Sequence, residues 1–450
     1  MATILARINP SMKGAMLMMA ATAPTTDTVQ YRKNIRNLTA DELAALREAF
    51  VKLYEINDDR GYQSIAGIHG LPLPIYCAHG NPLFTVWHRP YLYWLEKALQ
   101  DQVPGVTIPY WDWTDQISQQ EGMPTAYTEP TWRNPQTGQQ EPNPLLKADI
   151  KFQGSAFSET NRDPGSPGVP RQLADLVRST QQMSTTYSRY SAALENPHNG
   201  LHGWVGGTMG LVPYSSYDPI FWAHHCNVDR LFAQWQASHP NIIPVNETFR
   251  DQNGRVIEIW TAVLRPFNMT TKDIWNTRDL GYEYLTAEVS APRLEAATTT
   301  TAPSKFNVPV ANLPLSQLER DFETAELQLH NVKHSKNSFE IRVFLNQPDA
   351  NANTPIEGND HFAGSMFLFG HGECAGDAGH CDPQVHRGKF DLRPLSHVAP
   401  FTLFLDATNG IKKMVDNTDE VTVKLVAVDF KGNQIDRPET DFDAIALVTK

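Results

Sequence analysis

The chain has 450 residues, 41% of them hydrophobic, and its 38 Lys and Arg against 50 Asp and Glu leave a formal charge of −12. The length exceeds one ordinary domain and predicts two. The acidic balance, with no basic run, excludes a nucleic-acid-binding surface, and no run of about twenty apolar residues exists to span a membrane.

In chain order, residues 1–30 read as an N-terminal extension whose apolar segment Met16–Ala23 makes a poor signal peptide. Thr39-Ala-Asp-Glu42 is a capping box, and Leu43, Leu46, Phe50, Leu53 and Tyr54 follow it at helical spacing. Trp87 to Leu99 predicts a second helix, with Pro90 tolerated in its first turn or at a kink. The Pro/Gly/Gln-rich stretch from Gln116 to Gln172 reads as loop excursions. A third helix is expected from Asn196 to Trp204. A fourth opens with Asp218 as N-cap and Pro219 at its first position, setting Phe221, His225, Asp229 and Phe232 on one face.

After Tyr284 the pattern changes. A Thr-rich run, Ala296 to Pro303, has the composition of a linker, placed at 289–305. Beyond it Phe339–Leu345, Met366–Phe369 and Val421–Val428 alternate as strands, separated by turn signals at Thr408-Asn-Gly410 and Lys431-Gly-Asn433. The expected fold class is therefore α + β in two domains: an α-helical bundle over 31–288 and an antiparallel β-sandwich over 306–450.

Two histidine triplets carry the chemistry: His69, His79 and His88, then His198, His202 and His225, with His224 beside the last. Three imidazoles per cluster suit two metal ions, each left with a free face. A histidine-rich core without metal would bury polar rings among aromatics at a cost of kilocalories each. Hydrolytic metal pairs prefer bridging carboxylates, which these strings lack. Neutral imidazoles instead leave a pair of copper ions its full charge, suited to binding O2 and passing it two electrons.

With these strings the chain resembles the type-3 copper family of tyrosinases, catechol oxidases and molluscan haemocyanins. The likeness rests on Phe84-Thr-Val-Trp-His-Arg-Pro-Tyr91, Pro109-Tyr-Trp-Asp-Trp113, Pro197-His-Asn-Gly-Leu-His-Gly-Trp204, Asp218-Pro-Ile-Phe-Trp-Ala-His-His-Cys-Asn-Val-Asp-Arg230 and Tyr282-Glu-Tyr284. The resemblance implies two copper ions, O2 as co-substrate, and phenols and catechols as substrates. It assigns His69, His79 and His88 to copper A, and His198, His202 and His225 to copper B, with His224 a neighbour and not a ligand. It also implies a thioether joining Cys77 to His79; the alternative is a buried free thiol.

The resemblance further implies that Glu195 and Asn199 hold a water that takes the phenolic proton, making the chain a tyrosinase that hydroxylates monophenols and oxidises o-diphenols to o-quinones. Glu195 reads equally as a helix N-terminal carboxylate, and Asn199 as a local cap. Gly203 stands where several relatives carry a substrate-contacting arginine. Val212 falls at a gate position, small enough for an open entrance. Asp229 is placed to orient a ligand imidazole, or to pair with Arg230 or another arginine.

Catechol oxidation alone, or O2 binding without turnover, are the competing readings. The C-terminal sandwich is expected to cover the entrance and keep the enzyme latent; otherwise it is a stabilising module. His371, Cys374, His380 and Cys381 on a glycine-rich loop leave a disulfide, free thiols and a metal site open. Four cysteines are too few for a disulfide framework, which favours a cytoplasmic over a secreted location. Self-association is compatible with the sequence.

Overall fold

A computed structural model describes residues 29–449, apart from 73–75, 184, 252–253, 285–297, 304–309, 316–321, 374–399, 415–417, 419, 437 and 439. The Met16–Ala23 segment and the loop cysteines Cys374 and Cys381 therefore lie outside the described residues.

The N-terminal unit is a helical bundle. Helix α1 (Ala40–Glu55) opens on the expected capping box, with the Thr39 hydroxyl accepting from Glu42 and the Glu42 carboxylate accepting from the Thr39 backbone. Helix α2 (Tyr62–His69), which no strong periodicity announces, ends on His69. Helix α3 (Phe84–Gln102) extends the expected span at both ends and carries Pro90 inside it. Helix α4 (Arg171–Gln181) packs on α5 (Tyr187–Val205), which begins nine residues earlier than the sequence pattern suggests. Helix α6 (Pro219–Ser238) starts as read, with Asp218 accepting from the Ile220 N–H. Its residues from Pro219 to Phe232 are all buried, so it forms the axis around which the bundle packs.

Strand β1 (Gln30–Arg32) pairs in parallel with β2 (Tyr282–Tyr284), so the two ends of this unit meet. No helix among the described residues is long and apolar enough to cross a membrane.

The C-terminal unit is two four-stranded antiparallel sheets. With β3 (Thr298–Pro303), β4 (Val310–Pro314), β5 (Ala325–Val332), β6 (Phe339–Leu345), β7 (Phe362–Leu368), β8 (Phe401–Asp406), β9 (Glu420–Val428) and β10 (Ala444–Thr449), one sheet runs β4-β9-β6-β7 and the other β8-β5-β10-β3. Register places Ile341 opposite Ala427 on one side and Met366 on the other. Leu327, Ile341, Val343, Met366, Val423 and Leu447 fill the core between the sheets.

One expectation is corrected. The threonine run placed in a linker is the edge strand β3, paired with β10 from Thr298↔Thr449 to Pro303↔Ala444. Threonine is β-branched and favours the extended backbone, so composition alone misread it as a flexible tether.

The two units share an interface. Phe367 and Phe369, at and just beyond the end of β7, belong to the core of the helical bundle and not to that of the sandwich.

Candidate metal centre

Each histidine is delivered by a different local device. His69 ends α2, His79 sits on the loop between α2 and α3, and His88 lies in the second turn of α3. His198 and His202 are one turn apart on α5, and His225 projects from α6. The ring centroids of the first cluster are 5.2 Å (His69–His79), 5.5 Å (His69–His88) and 5.2 Å (His79–His88) apart. The second cluster is tighter, its Nε2 atoms forming a triangle of 3.1, 3.1 and 3.2 Å. The clusters face each other, with the rings of His88 and His225 stacked at 4.4 Å.

Three of the tautomers are set by neighbouring acceptors, two of them backbone carbonyls and one a side-chain amide. His88 Nδ1 donates to the Phe84 carbonyl at 2.8 Å, His202 Nδ1 to Met209 at 2.8 Å, and His198 Nδ1 to Asn199 Oδ1 at 2.9 Å. Each leaves Nε2 as a bare lone pair turned into the cluster. His88 Nε2 has no hydrogen-bond partner, and neither nitrogen of His79 has one. Burial holds the rings neutral: His88 titrates at about 3, its bond to Phe84 only partly opposing desolvation. Burial and mutual repulsion push His198, His202 and His225 well below the usual imidazole range.

Converging neutral acceptors with no protons to share are a poor core and a good metal site. Three nitrogens about 3 Å apart are spaced as donors on one ion with bonds of about 2.0–2.1 Å. Among the described residues no carboxylate joins either cluster, so the donor set is imidazole only, which fits copper. The two clusters, His69, His79 and His88 on one side and His198, His202, His224 and His225 on the other, are thus arranged for a dinuclear copper centre.

His224 is fully buried, and neither of its ring nitrogens has a hydrogen-bond partner. It stacks on His198 at 4.9 Å and offers a ring nitrogen within 4.8 Å of those of His198, His202 and His225, so the sequence expectation that it is a mere neighbour is not decided by distance.

Several expectations about the surroundings change. Asp229 touches none of the rings through its carboxylate. Its oxygens accept from Arg89 Nε (2.6 Å), Tyr282 (2.6 Å) and Tyr284 (2.7 Å), with Arg32 3.5 Å away. Burial would raise this carboxyl, but Arg89 and Arg32 hold it below the ordinary range. The pairing comes from α3 and β1 and not from Arg230, which bonds Asp112 instead. Asp229 thus braces α6 against α3 behind the site.

Gly203 does not line an open pocket. A Cβ there would lie 2.0 Å from the Phe430 ring of the C-terminal unit. At Gly200, one turn earlier, a Cβ would meet Leu173 at 2.5 Å and Phe367 at 2.9 Å, and Phe367 and Phe430 stack at 6.0 Å. Val212 is fully buried and its N–H donates to the Gly370 carbonyl at 2.8 Å, so the gate position is closed.

The aromatic side chain lying on the histidines is Phe369, which the histidine strings gave no means of finding. Its ring stacks on His202 at 4.1 Å and 20°, and stands edge-on to His79 (5.7 Å) and His198 (6.0 Å). Asn196 clamps the neighbouring edge of β7, accepting from the Phe367 N–H (2.8 Å) and donating to the Ser365 carbonyl (3.2 Å). Asn199 donates to the Phe367 carbonyl at 3.4 Å while holding His198.

Glu195 is buried and accepts from the Gly80 N–H at 2.8 Å, pinning the loop that carries His79. Desolvation, partly offset by that bond, raises its carboxyl to about 8. Cys77 is buried and unpaired in any disulfide.

Residues 59–238 match the tyrosinase family model, described as the common central domain of tyrosinase. The chain is 32% identical over 295 residues to haemocyanin β-C chain unit D of Helix pomatia, covering 59% of this chain and 68% of that one. It spans only 8% and 6% of the longer haemocyanin chains of Enteroctopus dofleini and Megathura crenulata that it also matches. Its fold is similar to a functional unit of octopus haemocyanin (TM-score 0.63, 22% identity, 93% of this chain and 99% of that one). It is equally similar to a tyrosinase from Burkholderia thailandensis (TM-score 0.62, 19% identity, 88% and 94%).

Proposed function

The chain belongs to the type-3 copper family that contains the tyrosinases and the molluscan haemocyanins, and from that premise we propose an O2-binding dicopper protein whose intact chain is closed to phenols, with polyphenol-oxidase activity latent beneath the sandwich. The observation that carries this reading is Phe369 lying on His202 at 4.1 Å. A phenol would have to bring its ring into the volume this ring fills, whereas O2 is small enough to need no such opening. When bound, the copper pair supplies O2 binding and two-electron oxidation; the residues decide what reaches it.

On this reading Glu195 and Asn199 serve a phenol only once β7 has moved away. While the sandwich is docked, the Asn199 amide is committed to His198 and Phe367, and Glu195 to Gly80. In the docked chain burial raises the Glu195 carboxyl to about 8, closer than an ordinary carboxylate to a phenol's pKa of about 10. A second reading, oxidation of catechols without hydroxylation of monophenols, is favoured by the direct bond from His198 to Asn199, which gives Asn199 an orienting task needing no water. The thioether between Cys77 and His79 belongs to the same proposal and would lower the intact mass by two hydrogens.

The test uses the full-length, copper-loaded chain. It should show reversible O2-dependent charge-transfer absorption and no quinone from catechol or a monophenol. Quinone should appear after limited proteolysis or mild detergent releases the sandwich. Brisk turnover by the intact chain, unchanged by release, would overturn the proposal. Activity on catechol alone after release would select the second reading.

A further inference from the structure

The aromatic rings packed on the clustered histidines are of two chemical kinds. Phe84, Phe221 and Phe369 carry benzene rings, which resist one-electron oxidation. Trp87, Tyr91 and Trp113 carry indole and phenol rings, which give up an electron far more readily. Trp113 lies 5.8 Å from His224 and, among the described residues, meets no ring beyond it. Trp87 and Tyr91 lead further.

These two stand one turn apart on α3, with their rings 5.2 Å apart. Trp87 lies 4.9 Å from His88 and 6.1 Å from His69, and Tyr91 stacks on His69 at 6.0 Å and 15°. Tyr91 meets Trp222 of α6 at 4.7 Å. Trp222 Nε1 donates to the hydroxyl of Tyr62 on α2 at 3.0 Å, their ring centroids being 6.3 Å apart. Tyr62 meets Tyr54 of α1 edge-on at 4.8 Å. Trp87, Tyr91, Trp222 and Tyr62 are buried to 2% exposure or less, whereas Tyr54 is half-buried. Four helices thus build one continuous row of oxidisable rings from the first histidine cluster to the surface. Packing alone does not ask for it. Phenylalanine would fill the volumes of Tyr62 and Tyr91 without the hydroxyls that these two must place on the Tyr217 and Ile65 carbonyls.

We propose that the row Trp87–Tyr91–Trp222–Tyr62–Tyr54 conducts electrons inward, discharging the copper site when it is left oxidised with no phenol in reach. This rests on the reading of a closed dicopper site. Behind Phe369 an O2-binding centre has no substrate, and its own histidines are the nearest groups to suffer oxidation. One electron passes to the copper site from Trp87 or Tyr91 and is replaced in turn from Trp222, Tyr62 and Tyr54. The net step removes one electron and the hydroxyl proton from Tyr54, the proton going to water. A soluble one-electron donor of the ascorbate class then returns an electron and a proton to Tyr54. The donor is oxidised and the copper site is reduced by one electron.

The experiment treats the full-length, copper-loaded chain with hydrogen peroxide in the absence of phenol. Radicals are read by EPR after freezing, and oxidised residues by mass spectrometry. The wild-type chain should show a tyrosyl radical trapped at Tyr54, quenched by ascorbate, with the ligand histidines spared. Tyr62→Phe keeps the ring but breaks the row, so the Tyr54 radical should be lost and oxidation of Trp87 and the ligand histidines should rise. Tyr54→Phe, changed only at the half-buried end, should strand the radical on Tyr62. Tyr127→Phe, at a buried tyrosine outside the row, should behave as wild type. An undiminished Tyr54 radical in Tyr62→Phe would overturn the proposal, as would its equal loss in Tyr127→Phe, which marks a packing effect. So would a wild-type chain that holds two copper ions and forms no tyrosyl radical, or a copper-free chain that forms as much. Failure of the wild-type chain to bind a copper pair would overturn both this and the dicopper reading.

Discussion

Replacing Phe369 with alanine should unlock the intact chain. The ring is 5% exposed and sits in the bundle core, held there by the sandwich strand that precedes it. Burying a phenylalanine side chain stabilises by about 1.5–3 kcal/mol, and truncation removes most of that from the docked state. At about 1.4 kcal/mol per factor of ten, the fraction of chains with an accessible copper pair rises roughly 10- to 100-fold. The kcat/KM for catechol in the full-length chain should rise by the same factor, measured as quinone formation at equal copper content. Phe369→Leu keeps most of the bulk and should give a smaller rise. O2-dependent absorption should persist in both, because every ligand ring is untouched. A change of less than about twofold in Phe369→Ala, with copper fully bound, would refute the assignment of Phe369 as the barrier.

Gly203→Ala drives a Cβ into the Phe430 ring and should loosen the sandwich, speeding proteolytic release and raising quinone formation without altering copper content; unchanged proteolysis would contradict the close seating. Asp229→Asn leaves Arg89 buried without its charge partner, and should destabilise the chain by about 3–5 kcal/mol in thermal or denaturant unfolding; a loss below about 1 kcal/mol would show the network to be dispensable. Glu195 titrates at about 8 when folded and near the ordinary carboxylate value when unfolded, so the unfolded state releases its proton first and stability falls as pH rises between those values. The buried histidines act oppositely, but only below about pH 6.5, where the unfolded rings bind protons that the folded ones refuse. Between about pH 6.5 and 8 the apoprotein should therefore lose stability in the wild type and not in Glu195→Gln, and parallel curves would sink that assignment.

The copper ligands were legible because their spacing is local. His198 and His202 lie one turn apart, and Asp218 with Pro219 fixes the start of the helix that carries His225. His69 and His79 lie outside the quoted family strings, on elements with weak signals of their own, and it is the resemblance to the family's copper A pattern that groups them with His88. What stayed hidden depends on contacts across long stretches of chain. Phe369 meets His202 from a strand pattern that reads as ordinary core, and nothing in an alternating run says which aromatic leaves its own sandwich. Gly203 is bare for the sake of Phe430, and Gly200 for Leu173 and Phe367, of which the two phenylalanines lie far along the sequence. Asp229 had the right chemistry on paper, yet its partner Arg89 comes from another helix. The threonine run shows the opposite failure, since composition suggested a tether where β-branching and a free sheet edge made a strand.

The account stands on two coupled copper ions, each held by three neutral imidazoles, and counting them is the most direct trial. Full-length protein loaded with Cu(I), desalted and exposed to air should carry two copper ions per chain. It should gain an O2-dependent charge-transfer band and show no copper EPR signal, because the paired spins cancel. One ion per chain with a mononuclear EPR spectrum, or a pair of zinc ions indifferent to O2, would contradict it.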